Sequence, residues 1–140
     1  MKIYNGKGMI LGRLAAKVAK DALLGEEVKV VNCREIIVSG SKIQTVKNEV
    51  AKRKRKGYPL KSAKFSRLPD RFVRRSIRGM LPWKQARGKE AYDKIMCYVN
   101  VPEELVGKDH LKVDGAGVEK LPSRKFTTVG EICKSLGGKQ

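Results

Sequence analysis

Apolar positions along the first third of the chain fall into three short blocks with different periods. Lys2 to Tyr4 reads as a short strand, and Asn5 to Gly8 as a glycine-bearing turn. Leu11, Leu14, Ala15, Val18, Ala19 and Ala22 then recur at helical spacing, an amphipathic helix that ends near Gly25 with Arg13, Lys17 and Lys20 on its outer side. Val28 to Val31 is a β-branched run of the kind buried in a parallel sheet, so strand, helix and strand make a βαβ unit with a right-handed crossover.

Glu35 to Ser39 is a second short apolar run, after which Ser39, Gly40 and Ser41 can cap a helix that carries Ile43, Val46 and Val50 inward. Gly57 to Pro69 has no periodicity and reads as an extended loop. From Asp70, placed as an N-cap, Phe72, Val73, Ile77, Met80 and Leu81 share one helical face, and Pro82 stops the helix. A shorter helix is expected after Gly88, turning Ala91, Ile95 and Met96 inward before a strand at Cys97 to Val99. Beyond Pro102 the tail, about 102–140, has little regular signal until Thr128 and Glu131, which match a capping box ahead of Ile132, Cys133 and Leu136. The fold class expected is α/β, with residues 1–140 as one domain.

Charge changes this picture. The formal net charge is +18, and residues 42–89 hold 17 basic and 2 acidic residues, whereas residues 90–140 hold 8 of each. The excess is concentrated in one segment, which solubility does not require and a polyanion partner does. Lys52, Arg53, Lys54, Arg55 and Lys56 close the second helix; Lys61, Lys64 and Arg67 lie in the loop, so that 52–69 is a basic extension. Arg71, Arg74, Arg75 and Arg78 recur on the face of the next helix opposite its apolar stripe, and Lys84, Arg87 and Lys89 follow it. No acid lies between Arg71 and Lys89. A solvated face mixes signs, because like charges at this spacing repel.

Other chemistry is thin. Gly6, Gly8 and Gly12 are spaced one residue too widely for a dinucleotide fingerprint, and no P-loop lysine and serine follow. They are read as a tight turn, with a small nucleotide-dependent RNA-acting enzyme as the alternative. His110 is read as an exposed loop residue. Cys33, Cys97 and Cys133 are far apart and read as buried thiols, and no metal, cofactor or small-molecule substrate is expected. With no long apolar stretch and no leader-like N-terminus, a cytoplasmic protein with no membrane partner is expected, although a basic amphipathic helix also suits an anionic lipid surface.

Aromatic residues make up 6% of the chain and do not interleave with the basic run, so a base-stacking platform is not expected. Folded RNA, met through phosphate and ribose, fits best.

DRFVRRSI followed by RGMLPWKQARGKEAYDKI resembles the signature of the large-subunit ribosomal protein thirteen family. GRLAAKVAKDALLGEEVKVVN and TTVGEICKSLGG are similar to its archaeal members. The resemblance implies a three-layer α/β/α fold with a small, mainly parallel sheet, binding of large-subunit ribosomal RNA beside neighbouring ribosomal proteins, and a part in early subunit assembly. It also implies that Arg71, Arg75, Arg78, Lys84 and Arg87 face the RNA. The glycine-rich loop and histidine-bearing end motif of bacterial members and the C-terminal extension of eukaryotic ones are missing.

Overall fold

The computed structural model describes residues 1–55, 57 and 65–138. Its elements run β1 (Lys2–Asn5), α1 (Leu11–Leu23), β2 (Val28–Val31), β3 (Ile37–Ser39), α2 (Lys42–Lys54), α3 (Pro69–Arg78), α4 (Ala86–Asp93), β4 (Ile95–Cys97), β5 (Phe126–Thr128) and α5 (Val129–Ser135). Three parallel strands form a sheet in the order β1-β2-β4, with Lys2 opposite Val28 and Val28 opposite Ile95. A second, antiparallel pair joins β3 to β5, with Ile37 opposite Thr128. The α/β class and the small, mostly parallel sheet are those anticipated.

Alternation along the strands sorts their side chains between two faces. Tyr4, Val28, Val30 and Ile95 join Leu14, Ala15 and Val18 of α1 and Val73 and Ile77 of α3 in the main core. Ile3 and Val31 face the other way and are covered by Leu105, Tyr98 and Val101. The chain at Leu111 lies along the free edge of β1, donating to the Ile3 carbonyl at 2.7 Å and accepting from the Asn5 amide at 3.0 Å. Gly25 ends α1 at φ +98°, a left-handed conformation that other residues adopt only under strain.

One buried charge sits among the apolar positions of α1. Asp21 is 2% exposed and accepts from the Tyr4 hydroxyl at 2.5 Å, with the ammonium groups of Lys2 and Lys17 at 3.4 and 3.7 Å. Burial alone raises a carboxyl pKa, but the Tyr4 hydrogen bond and the two lysines outweigh it and hold Asp21 below the ordinary carboxylate range. The Tyr4 phenol is pushed above its usual value by burial and by the same carboxylate. This cluster pins α1 to β1 at the start of the βαβ unit.

Several expectations shift. In α2, Ile43 is 81% exposed, Val46 and Val50 are only half-buried, and nothing is buried, because this helix stands off the sheet and has α5 as its main helical neighbour. Ser41 makes no side-chain cap; the Thr45 hydroxyl donates to its carbonyl instead. Asp70 is not the N-cap of α3: Leu68 holds that place and Pro69 opens the helix, where its missing amide costs nothing. The next helix begins at Ala86, not after Gly88, and β4 lies at Ile95–Cys97 because pairing with Val28–Val30 sets its register. Met96 therefore points out at 43% exposure, and Cys97 is only half-buried. His110 is half-buried, its Nε2 3.1 Å from the Leu105 carbonyl oxygen. The capping box forms between Thr128 and Glu131, and Ile132, Cys133 and Leu136 are buried as anticipated.

Replacing Tyr4 with Phe removes a hydrogen bond to a buried charge and is expected to destabilise the fold by about 2 kcal/mol in denaturant titrations. Because the folded-state pKa of Asp21 is depressed, its contribution is fully present above the unfolded value near pH 4 and is lost as pH falls through the folded value. Melting temperature should drop on acidification below about pH 4, and Asp21→Asn should flatten that drop without abolishing it. Glu131, which hydrogen bonds from Thr127 and Thr128 hold low, contributes to the remainder.

Candidate nucleic-acid interface

Helix α3 is built to be held on one side and open on the other. Val73 and Ile77 are fully buried against the core, while the four arginines one or two positions away turn outward. Arg71 is exposed; Arg74, Arg75 and Arg78 are half-buried because each guanidinium lies over an aromatic ring. Arg74 is 4.3 Å from the Tyr92 ring centre, Arg75 is 4.0 Å from that of Phe65, and Arg78 is 4.8 Å from that of Trp83. Tyr92 and Trp83 meet edge to face at 5.0 Å, so Arg74, Tyr92, Trp83 and Arg78 form a continuous series of contacts. The aromatic residues thus do meet the basic ones, contrary to the linear reading: Trp83 and Tyr92 come from the turn before α4 and from α4 itself.

The end of α2 faces α3 across a groove of about 530 Å³ lined by Lys52, Arg53, Phe65, Arg71, Arg74, Arg75 and Arg78, among others. Glu49 is the one acid lining it among the described residues, and it is ion-paired to Lys52 at 2.7 Å and to Arg53 at 3.0 Å. Arg53 also donates to the Ser66 carbonyl at 2.9 Å, tying α2 to the chain that leads into α3. These contacts hold the two walls of the groove together. A second groove, beside β4, makes the contrast: Glu27, Glu90 and Asp93 stand there with Lys29 and Lys94, the mixed signs of a solvated face.

The remaining basic candidates are spread wider. Lys54 and Arg67 line an adjoining shallow groove with Val50 and Leu136, and Arg55 is exposed at the C-cap of α2. Lys84 is exposed on the turn before α4, Arg87 and Lys89 are exposed on α4 itself, and none of the three lines the main groove; Arg87 donates to the Gln85 side chain at 2.8 Å. Lys56, Lys61 and Lys64 lie outside the described residues, as does most of the expected loop at 57–69. The packing of α4 on the 82–85 turn depends on Gly88, where a Cβ would lie 2.2 Å from the Pro82 carbonyl oxygen. A side chain there would push α4 away from the turn that carries Trp83.

Other chemistry finds no support in the geometry. The amides that a phosphate-binding glycine loop would need are already engaged: those of Gly6, Gly8 and Met9 donate to the carbonyls of Val31, Glu35 and Gly6. A Cβ at Gly6 would lie 2.6 Å from the Ile36 side chain, so the turn packs inward. The neighbouring Cys97 thiol and burial raise the Cys33 pKa, and burial pushes that of Cys133 up to about 11, so neither is a ready nucleophile. The apolar face of α3 is buried and not available to lipid, and among the described residues no helix is long and apolar enough to cross a membrane.

Fold and site together define an α/β protein with a one-sided basic groove and an occupied glycine turn. The chain belongs to the ribosomal protein L13 family, whose model matches residues 1–104. It is 40% identical over 139 residues to the large ribosomal subunit protein uL13 of Methanococcoides burtonii, covering 99% of both chains, and 42% identical over 142 residues to that of Methanococcus maripaludis, again over 99% of both. The protein of the same name from Archaeoglobus fulgidus is 38% identical over 136 residues, 96% of this chain and 86% of its own. The family is one of ribosomal proteins and not of enzymes.

Gly88→Ala is expected to destabilise the protein by about 1–3 kcal/mol, since the Cβ meets backbone and not a flexible side chain. A matched loss of Trp83 fluorescence anisotropy or a shifted emission maximum would locate the disturbance at this turn. An unchanged melting curve would show that the turn accommodates a methyl group freely.

Proposed function

We propose that this protein is a structural constituent of the large ribosomal subunit that binds ribosomal RNA through the groove between α2 and α3 and through the 82–89 segment, and supports early subunit assembly. The observation that carries the reading is the clustering of Lys52, Arg53, Arg71, Arg74, Arg75 and Arg78 around one groove with a single, already paired acid. Guanidinium groups suit this task because each offers a planar fork of donors matched to phosphate oxygens. Residues 1–140 act as one RNA-binding unit, with a basic extension at 52–69 and a 102–140 tail whose α5 packs against α2 and α3. In this reading the protein works in the cytoplasm on the ribosome, with ribosomal RNA and neighbouring ribosomal proteins as its partners and no small-molecule substrate.

If about ten phosphates are neutralised, log affinity for large-subunit ribosomal RNA should fall with log salt at a slope of about −7 to −9; a flat response would contradict the proposal. Arg71→Gln, at the exposed member of the stripe, should weaken binding at low salt and reduce the slope by about one. Its melting temperature should stay close to the parent's, because Arg71 is exposed and rests on no ring among the described residues.

A further inference from the structure

The groove is concave, and its walls are half-buried. A paired RNA helix presents phosphates on a convex outer surface and reaches the rim cations, Arg71 and Lys52, but not guanidiniums set down among rings. Those guanidiniums are held flat. Arg75 lies 4.0 Å from the Phe65 ring centre and Arg74 4.3 Å from that of Tyr92, so each is braced on one face by an aromatic plane. Two donors on groove-lining residues, Arg53 Nε and Arg74 Nε, are buried and meet no acceptor among the described residues. Buried donors of this kind call for an acceptor. The groove volume of about 530 Å³ lies within the range of pockets that enclose a small organic ligand.

We infer that this groove takes a single unpaired nucleotide of RNA, its base laid against the ring-braced guanidiniums of Arg74 and Arg75 and its phosphate held at the rim by Arg71 and Lys52. The inference rests on the proposed reading of this face as an RNA surface and narrows it to a nucleotide turned out of its stack. Bases stack on guanidinium planes as they do on aromatic ones, and a braced plane loses little freedom when the base arrives. The half-buried Glu49 stands in the same groove as an acceptor for a base N–H, so a base with an exocyclic amino group is favoured over one without. Stacking and an enclosed edge compensate the modest cost of unstacking a nucleotide that has no pairing partner to lose.

The test compares three RNA hairpins binding to the full-length protein: one fully paired, one with a single bulged guanosine, and one with an abasic residue at the bulge. The bulged hairpin is expected to bind roughly tenfold tighter than the paired one, and the abasic hairpin to lose that advantage. In Arg75→Lys, which keeps the charge and loses the plane, and in Phe65→Leu, which removes the brace, the ratio of bulged to paired affinity should fall towards one. Melting curves of both variants confirm that the fold persists. Equal, salt-sensitive binding of all three hairpins would overturn the inference and leave the wider RNA reading standing. Binding to none of the hairpins would also overturn it, and the salt titration with large-subunit ribosomal RNA then decides separately whether the wider reading survives.

Discussion

Helix α3 must satisfy two opposed demands. It places four guanidinium groups within ten residues, as i,i+3 and i,i+4 neighbours that repel by about 0.2–0.5 kcal/mol per pair. Four such pairs, Arg71 with Arg74 and with Arg75, and Arg78 with Arg74 and with Arg75, sum to about 1–2 kcal/mol against the helix. Three stacks on Phe65, Tyr92 and Trp83, at about 0.5–1 kcal/mol each, are of the same size and opposite sign. The burial of Val73 and Ile77, about 1.5–3 kcal/mol apiece, then decides in favour of the folded helix. A concentrated cationic face can therefore persist in the isolated protein, because rings stand behind Arg74, Arg75 and Arg78.

This arrangement explains why α4 and the turn before it are so constrained. Trp83 and Tyr92 must lie in contact with each other and under Arg78 and Arg74, and that position is reached only if α4 packs tightly on the 82–85 turn. Gly88 permits the close approach to the Pro82 carbonyl, and the parallel pairing of β4 with β2 anchors the other end of the segment. The RGMLPWKQARG stretch is thus one structural device: arginine, ring, turn and glycine in fixed relation. The Tyr4–Asp21 cluster plays the corresponding part at the opposite end of the sheet, where it joins α1 to β1.

What could be read from the chain follows from period and charge. The βαβ start, the capped α5 and the two-faced α3 were legible because each buries a regular stripe against a neighbour. Ile43 misled because a helical stripe signals burial only if something packs on it, and α2 has little beyond α5 packed against it. The positions of Asp70, Gly88 and Met96 depended on a backbone register set by tertiary contacts, which local pattern does not carry. For the site, the cationic inventory was visible and its support was not. Phe65 and Tyr92 lie 10 and 18 residues from the arginines they brace, and Glu49 lies 4 from its partner Arg53 but faces a groove that only the fold creates. Trp83, five residues beyond Arg78, was the nearest signal available.

The central claim is that ring-braced arginines on α3 meet ribosomal RNA. Photo-crosslinking of the full-length protein to large-subunit ribosomal RNA, with the linked peptides mapped by mass spectrometry, tests it most directly. The account predicts links concentrated between residues 65 and 92, on Phe65, Trp83, Tyr92 and the peptides that carry Arg71 to Arg78. Links confined to β5 and the 102–125 segment, with the α3 peptides recovered unmodified, would contradict it.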